Sequence, residues 1–330
     1  MVFSTPADAE ALRAAPERAP TTRSATCTST GTVVEMKVRF AIAPGGVAFD
    51  GERFVELVEQ LEARGFDTLW LSDIPMGPSI DPVVGLGYAA AASKRLKLGA
   101  NVVPFGRNPM ILAKTLAQLD RLSDGRLLLS LVPGLDQPNE RLALGIGTRN
   151  RWRLIEDIIP LLRAWWAGEP VSHQLEGFVF DGVRVEPLPV QQPLEIWLGG
   201  NGPQALERIG RLADGWLGAA VTPAEAGEAC RTIQRSADAA ARTVPADHFG
   251  MSLAYGHTEP DPQMYASLRK RRPDVDPREL MPVGATGLRD VVGRYIDNGV
   301  TKFVLRPNSP PATWAQELDF LTDTLFDLQT

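Results

Sequence analysis

From Met36 onward the chain repeats one pattern eight times: a short apolar run followed by an amphipathic segment. "KVRFAIA" leads into "ERFVELVEQLEARG", where Phe54, Leu57, Val58 and Leu61 share one helical face and Gly65 stands where a left-handed C-cap is needed. The same succession restarts at "FDTLWLSD", "LKLGANVVP", "GRLLLSLVPG", "LEIWLGG", "GWLGAAV", "FGMSLAYG" and "VTKFVLRP". These runs are apolar without alternation, as strands are when helices cover both faces of a parallel sheet. Eight such units predict an α/β fold, a (β/α)8 TIM barrel over residues 36–330. Two segments break the rhythm and read as insertions. Glu169–Pro193, after the fourth helix, has a hairpin pattern on a proline-rich connection. Gly256–Gly284, after the seventh strand, is charged and proline-rich and reads as a loop–helix excursion or lid; its "RKRR" run, balanced by neighbouring acids, is a solvated face. Pro160 is expected to kink the fourth helix.

Residues 1–35 are rich in Ala, Thr, Ser, Arg and Pro and lack the apolar stretch of a secretory signal, so they read as a disordered extension of the kind an upstream start codon adds. Asp8, Glu10 and Glu17 speak against a transit peptide. A net charge of −6 and a pI near 5.3 leave no basic stripe for nucleic acid or an anionic membrane surface. No apolar run approaches the ~20 residues of a membrane span. Cys27 and Cys230 make no disulfide framework, which fits a reducing cytoplasm, and His173, His248 and His257 lack metal-ligand spacing.

In a barrel of this kind the active site forms at the C-terminal ends of the strands. That rule selects Ser72, Asp73, Asn101 to Phe105, Val132 to Asp136, Gly199 to Gly202, Gly218 to Val221, and Arg306. The set holds one prominent acid, one prominent base and much bare backbone. It supplies neither an activated nucleophile nor two opposed carboxyls, so hydrolysis is disfavoured. A mouth of small residues suits a flat cofactor that brings its own reactivity. "WLGGNGPQALERIGRLADGW" is the barest stretch, and two readings of it stand: a tight strand-to-helix turn, or amides at a helix N-terminus laid open to a phosphate. Asp73 is equally a helix or loop cap or a ligand contact, and Arg306 an anion site or a rim ion pair. The tryptophans Trp70, Trp165, Trp166, Trp197 and Trp216 read as core, with one of Trp165 and Trp166 at an interface.

Taken in order, "FDTLWLSD", "LGANVVP…NPMILAKTLAQLDRLSDGRLLLSLVPG", "RWRLIEDIIPLLRAWWAG", "FVFDGVRVEPLPVQQPLEIWLGGNGPQALERIGRLADGW" and "NGVTKFVLRP" resemble the luciferase-like monooxygenase family, and within it the branch that uses the deazaflavin coenzyme F420. The resemblance covers nearly everything from Met36 to the C-terminus. It implies that Gly199, Gly200, Asn201 and Gly202 hold the cofactor's phosphate, with Gly218, Ala219 and Ala220 as the opposite wall and Gly134 nearby. It implies a non-proline cis peptide at Asn101–Val102 bulging against the ring, Asp73 as the family acid, and a homodimer. One departure matters: sugar-phosphate dehydrogenases of the family carry histidine after that acid, and this chain has Ile74. The basic residues expected after the sixth strand are also missing from "GAAVTPAE", which argues against glucose 6-phosphate.

The resemblance therefore implies a cytoplasmic F420-dependent oxidoreductase moving a hydride to or from a small organic substrate. Two rivals stand beside it. One is an FMNH2- and O2-dependent monooxygenase served by a partner flavin reductase; the other is a non-catalytic flavin- or deazaflavin-binding protein.

Overall fold

Strands β1 (Arg39–Ile42), β2 (Thr68–Ser72), β3 (Lys97–Val102) and β4 (Leu127–Leu131) open the chain's sheet. Next come a hairpin, β5 (Val171–Leu175) and β6 (Phe178–Val183), and four more strands, β7 (Ile196–Leu198), β8 (Gly215–Ala219), β9 (Phe249–Tyr255) and β10 (Lys302–Pro307). All but the hairpin are parallel and close a barrel in the order β1-β10-β9-β8-β7-β4-β3-β2. The computed structural model describes residues 37–330 apart from Glu176; the extension expected over 1–35 lies outside the described residues.

Helices fill the return paths. They are α1 (Gly51–Arg64), α2 (Pro82–Ala92), α3 (Pro109–Leu122), α4 (Pro138–Ala143), α5 (Arg151–Trp166), α6 (Pro203–Leu212), α7 (Pro223–Ala239), α8 (Pro262–Arg271), α9 (Pro277–Leu280), α10 (Gly284–Asp297) and α11 (Trp314–Leu325). Their starts are written in side chains: Asp50, Asp81, Asn108, Asn150 and Thr313 each accept a first-turn amide. Phe54, Leu57, Val58 and Leu61 of α1 are buried as the periodicity predicts, and Gly65 ends that helix at φ 81°. The β5–β6 hairpin and the α8–α9 excursion occupy the two expected insertions. The six-residue α4, inside the β4–α5 connection, has no sequence counterpart because a single turn and a half carries no periodicity. Helix α5 runs unbroken through Pro160. Among the described residues no helix is long and apolar enough to cross a membrane.

Inside the barrel, Ala41, Ala43, Trp70, Trp197, Leu217 and Val304 form a small core distinct from the larger one between sheet and helices. Its two indoles fit because glycine faces them. A Cβ on Gly99 would lie 2.3 Å from Trp70, and one on Gly215 would lie 2.4 Å from Trp197. Trp165 and Trp166 correct the sequence reading. Both are buried within the chain, where their indole N–H groups donate to Val183 O and Ala113 O, so neither is free for an interface.

At the opposite, N-terminal end, Lys302 opens β10 with its side chain only 7% exposed and is paired with Asp67, 9% exposed. Lys97 at 3.6 Å and Arg39 at 3.8 Å join the same carboxylate. Burial alone would raise Asp67, but Lys302 and Lys97 outweigh it and hold the carboxyl below its ordinary value. Asp67→Asn is therefore expected to lose about 3–5 kcal/mol in denaturant unfolding, because it strands a buried ammonium. Adding Lys302→Met should recover much of that loss.

Candidate functional site

The bare backbone assembles at the C-terminal ends of β7 and β8. Gly199 to Gly202 leave β7, and beside them Gly218 and Ala219 end β8 and Ala220 follows it. The Asn201 amide donates to Ala219 O at 2.6 Å, and Trp216 Nε1 donates to Gly200 O at 3.0 Å. Gly200 has φ 114°, and a Cβ there would come within 2.8 Å of Ala205 Cβ, so only glycine fits. Gly202 is the N-cap of α6, with Pro203 in the first helical position and no side-chain cap. The neighbouring α7 is different: Thr222 and Glu225 form a capping box that closes its N-terminus with a carboxylate. Of these two adjacent helix N-termini, only that of α6 has its positive dipole end free of a side-chain cap, with Ala205 and Leu206 N–H donating to Gly202 O.

A second half-site lies at β2 and β3. Asp73 N–H donates to Asn101 O at 2.8 Å, and Asn101 Nδ2 donates to Ser72 Oγ at 2.9 Å. Asn101 stands on the strand face that Gly99 turns toward Trp70, so it faces the barrel interior. Its Oδ1 is buried without a hydrogen-bond partner, as is the hydroxyl of Ser130 in register on β4. Such orphans ask for a polar ligand group. Asp73 is buried and is not a helix cap: Asp81 caps α2. Its Oδ2 accepts from Val103 N–H at 3.2 Å and from Arg107 at 3.0 Å, and the same guanidinium nitrogen reaches Asp81 at 2.8 Å. Burial pushes the Asp73 carboxyl above its ordinary value against the pull of Arg107, whereas Arg107 and the α2 amides hold Asp81 below its own. Beside this cluster opens a cavity of about 410 Å³, walled by Ile74, Val103, Phe105 and Leu144.

The expected cis bulge is not there. Among the described residues the cis bonds are Glu186–Pro187 and Gln192–Pro193, so Asn101–Val102 is trans. Both residues sit in the regular β3–β4 ladder, Val102 O accepts from Val132 N–H at 3.0 Å, and the Val102 side chain is buried in the outer core. Gly134 bridges the halves in position, at φ 70° in the β4–α5 connection. Its carbonyl accepts from Arg151 at 2.9 Å, and a Cβ there would meet Glu140 at 2.8 Å.

Arg306 leaves the end of β10 exposed, beside Gly45 of the first connection. It has no ion pair among the described residues, and desolvation depresses its pKa with no carboxylate to offset it. The rim-ion-pair reading therefore fails. Sequence reading missed three features of the rim. Arg107 is one. Another is Arg272, which follows α8 and binds Ala220 O at 3.1 Å and Glu225 at 2.6 Å, tying the excursion to the wall of the glycine cradle. The third is buried Glu317, which accepts from Tyr255 and lies 2.8 Å from His257 Nε2, fixing the root of that excursion.

A family model described as luciferase-like monooxygenase matches residues 29–264. An F420-dependent glucose-6-phosphate dehydrogenase of Kineococcus radiotolerans is 28% identical over 186 residues, 53% of this chain and 52% of that protein. A 5,10-methylenetetrahydromethanopterin reductase of Methanolobus tindarius is 30% identical over 190 residues, 57% of this chain and 56% of its own. The chain thus spans about half the length of the curated relatives it matches. An F420-dependent secondary alcohol dehydrogenase, solved with an F420–acetone adduct, superposes with a TM-score of 0.74 at 18% identity, covering 89% of this chain and 100% of that one.

Arg272 ties the excursion to the rim without entering the barrel's core. Arg272→Ala is expected to raise protease nicking and amide exchange across 257–283, with a global stability loss within about 1 kcal/mol. A large global loss would show that the excursion is part of the barrel's core stability.

Proposed function

Because the chain belongs to the luciferase-like monooxygenase family, we propose that it is an oxidoreductase that binds coenzyme F420 and exchanges a hydride with a small organic substrate. The observation that carries this reading is the open N-terminus of α6 beside a sealed α7. Backbone amides of Gly199, Gly200, Asn201 and Gly202 hold the cofactor's phosphate, and Gly218, Ala219 and Ala220 shape the facing wall. Asn101 offers its orphaned Oδ1 to the ring's polar edge, with the Val102 backbone and Gly134 alongside. Arg306 meets an anionic group of cofactor or substrate. When bound, the deazaflavin supplies the hydride acceptor or donor; the protein orients both reactants and keeps water out.

The curated relative named for F420 supports this cofactor, though the match covers about half of its length. Ile74 and the small residues after β8 speak against glucose 6-phosphate as substrate. Exposed Val84 and Tyr88 on α2 and Ile111 on α3 support a homodimer. The half-buried thiol of Cys230, unpaired among the described residues and pushed up to about 12 by desolvation, supports a reducing cytoplasm. An FMN-dependent monooxygenase on this scaffold would need a reductase partner.

Fluorescence titration of the protein with F420 and with FMN tests the reading, repeated on Gly202→Asp. A Cβ at Gly202 meets nothing within 4 Å, and aspartate is a favourable N-cap, so the variant should fold at least as well while its own carboxylate occupies the amides. The expected result is F420 binding weakened at least about tenfold by Gly202→Asp, with unfolding unchanged. Preference for FMN would favour the monooxygenase, and binding of neither would overturn both.

A further inference from the structure

The N-terminal end of the barrel, opposite the glycine cradle, holds a second cavity of about 310 Å³. Strand register decides what faces it. Arg39 on β1 pairs with Lys302 on β10, and Thr68 on β2 pairs with Lys97 on β3. Arg39, Lys302 and Thr68 each stand two residues before an inner-core residue, Ala41, Val304 and Trp70, so this row points toward the barrel axis. Across the axis β8 and β9 carry Gly215 and Gly250, and the Trp197 indole lies over both. Leu128 and the edge of that indole form the apolar side of the cavity.

Cations outnumber the acids on one arc of this cavity. Among the described residues, three of them, Lys302, Lys97 and Arg39, share the single carboxylate of Asp67, which leaves the arc two positive charges in surplus. Arg126 lines the same cavity, and its guanidinium is held only by neutral oxygens, those of Ser123 O, Ser93 Oγ, Leu96 O and Ala90 O. Burial, reinforced by repulsion from Lys97 and Arg39, holds the Lys302 ammonium below its ordinary value against the pull of Asp67. The acids Glu195 and Asp247 line the cavity beside His248, at 3.7 and 3.9 Å from its ring nitrogens.

We propose that this cavity binds the phosphate group of a small phosphomonoester, held by Arg39 and Lys97, with the organic part of the ester against Leu128 and Trp197. Both cations are accessible, Arg39 being 28% and Lys97 46% exposed. Arginine supplies a planar fork and lysine a point charge, and phosphate accepts from both. A phosphate carries two negative charges on one small group, so both can face the surplus. An extended dicarboxylate would send its second charge toward Glu195 and Asp247. The site lies at the opposite end of the barrel from Gly199 to Gly202, so it can be filled while the cradle is occupied. It does not rest on the hydride-transfer reading.

Histidine makes the site readable. His248 lines the cavity, whereas His173 lies in the β5–β6 hairpin and His257 at the root of the excursion. The test follows the imidazole signals of the full-length protein by NMR, with His248 assigned by its loss in His248→Gln. Phenyl phosphate is titrated at constant pH and ionic strength. His248 should shift saturably, with affinity at least about fivefold weaker in Lys97→Gln and in Arg39→Gln. Affinity should be unchanged in Gly202→Asp, whose carboxylate occupies the α6 amides. Inorganic phosphate should bind more tightly than succinate. Phenyl phosphate should also raise the melting temperature of the parent protein more than that of either charge variant, which separates lost binding from lost folding. A shift reproduced by chloride at equal ionic strength, undiminished affinity in both charge variants, or a preference for succinate overturns the proposal. So does loss of the shift in Gly202→Asp, which would place the phosphate in the cradle instead.

Discussion

Closure of the sheet is the constraint on which the remainder of the molecule depends. β1 pairs with β10 through Arg39–Lys302 to Ile42–Leu305 and with β2 through Ala41–Thr68 and Ile42–Leu69, and with those contacts the parallel sheet has no edge. Every strand amide inside the ladder is consumed by a lateral neighbour. Unused amides and carbonyls can remain only where strands stop and helices begin. The chemistry of the protein is thereby displaced to the two ends of the barrel, and each end is treated differently. At the N-terminal end the spare charge is gathered around the Asp67–Lys302 pair and its satellites. At the C-terminal end it stays open among the described residues, in the uncapped α6 and an Arg306 without an ion pair.

Much of this was legible in the sequence, for reasons that differ by element. The barrel is readable because parallel strands covered on both faces produce long unbroken apolar runs, and eight of them cannot be arranged in many ways. The cradle is readable because glycine at 200 and proline at 203 announce a left-handed residue and a helix start. What the alternation could not show is contact across the fold. Arg107 lies 34 residues from Asp73 and 26 from Asp81, and a single arginine ahead of an Asn-Pro helix start forms no pattern. Arg272 was hidden in a basic run whose Arg269 and Lys270 are exposed. The trans bond at Asn101–Val102 marks a different limit: an expectation carried over from a family was overruled by local register, since both residues pair regularly with β4.

The two half-sites divide the work along the strand order. β7 and β8 present backbone, whose amides are suited to an anion whatever the neighbouring side chains are. β2 and β3 present side chains, in a cavity where one guanidinium between two carboxylates sets polarity and charge. β4 separates them, and its long connection carries Gly134 and α4 between the halves. On the reading proposed above, such a division would let the cofactor stay constant while the substrate varies.

Glu225 carries two duties at once. One carboxylate completes the cap of α7, accepting from Thr222 N–H at 2.7 Å, and receives Arg272 from the excursion. The excursion is therefore fastened to the barrel by a part that the barrel needs for its own folding. A replacement excursion of different length or sequence would find this anchor already present, provided it brings one guanidinium to the same spot. The covering of the mouth is thereby fastened on one side to a helix cap and at its root to Glu317, so its sequence between these two points is released from the demands of barrel folding.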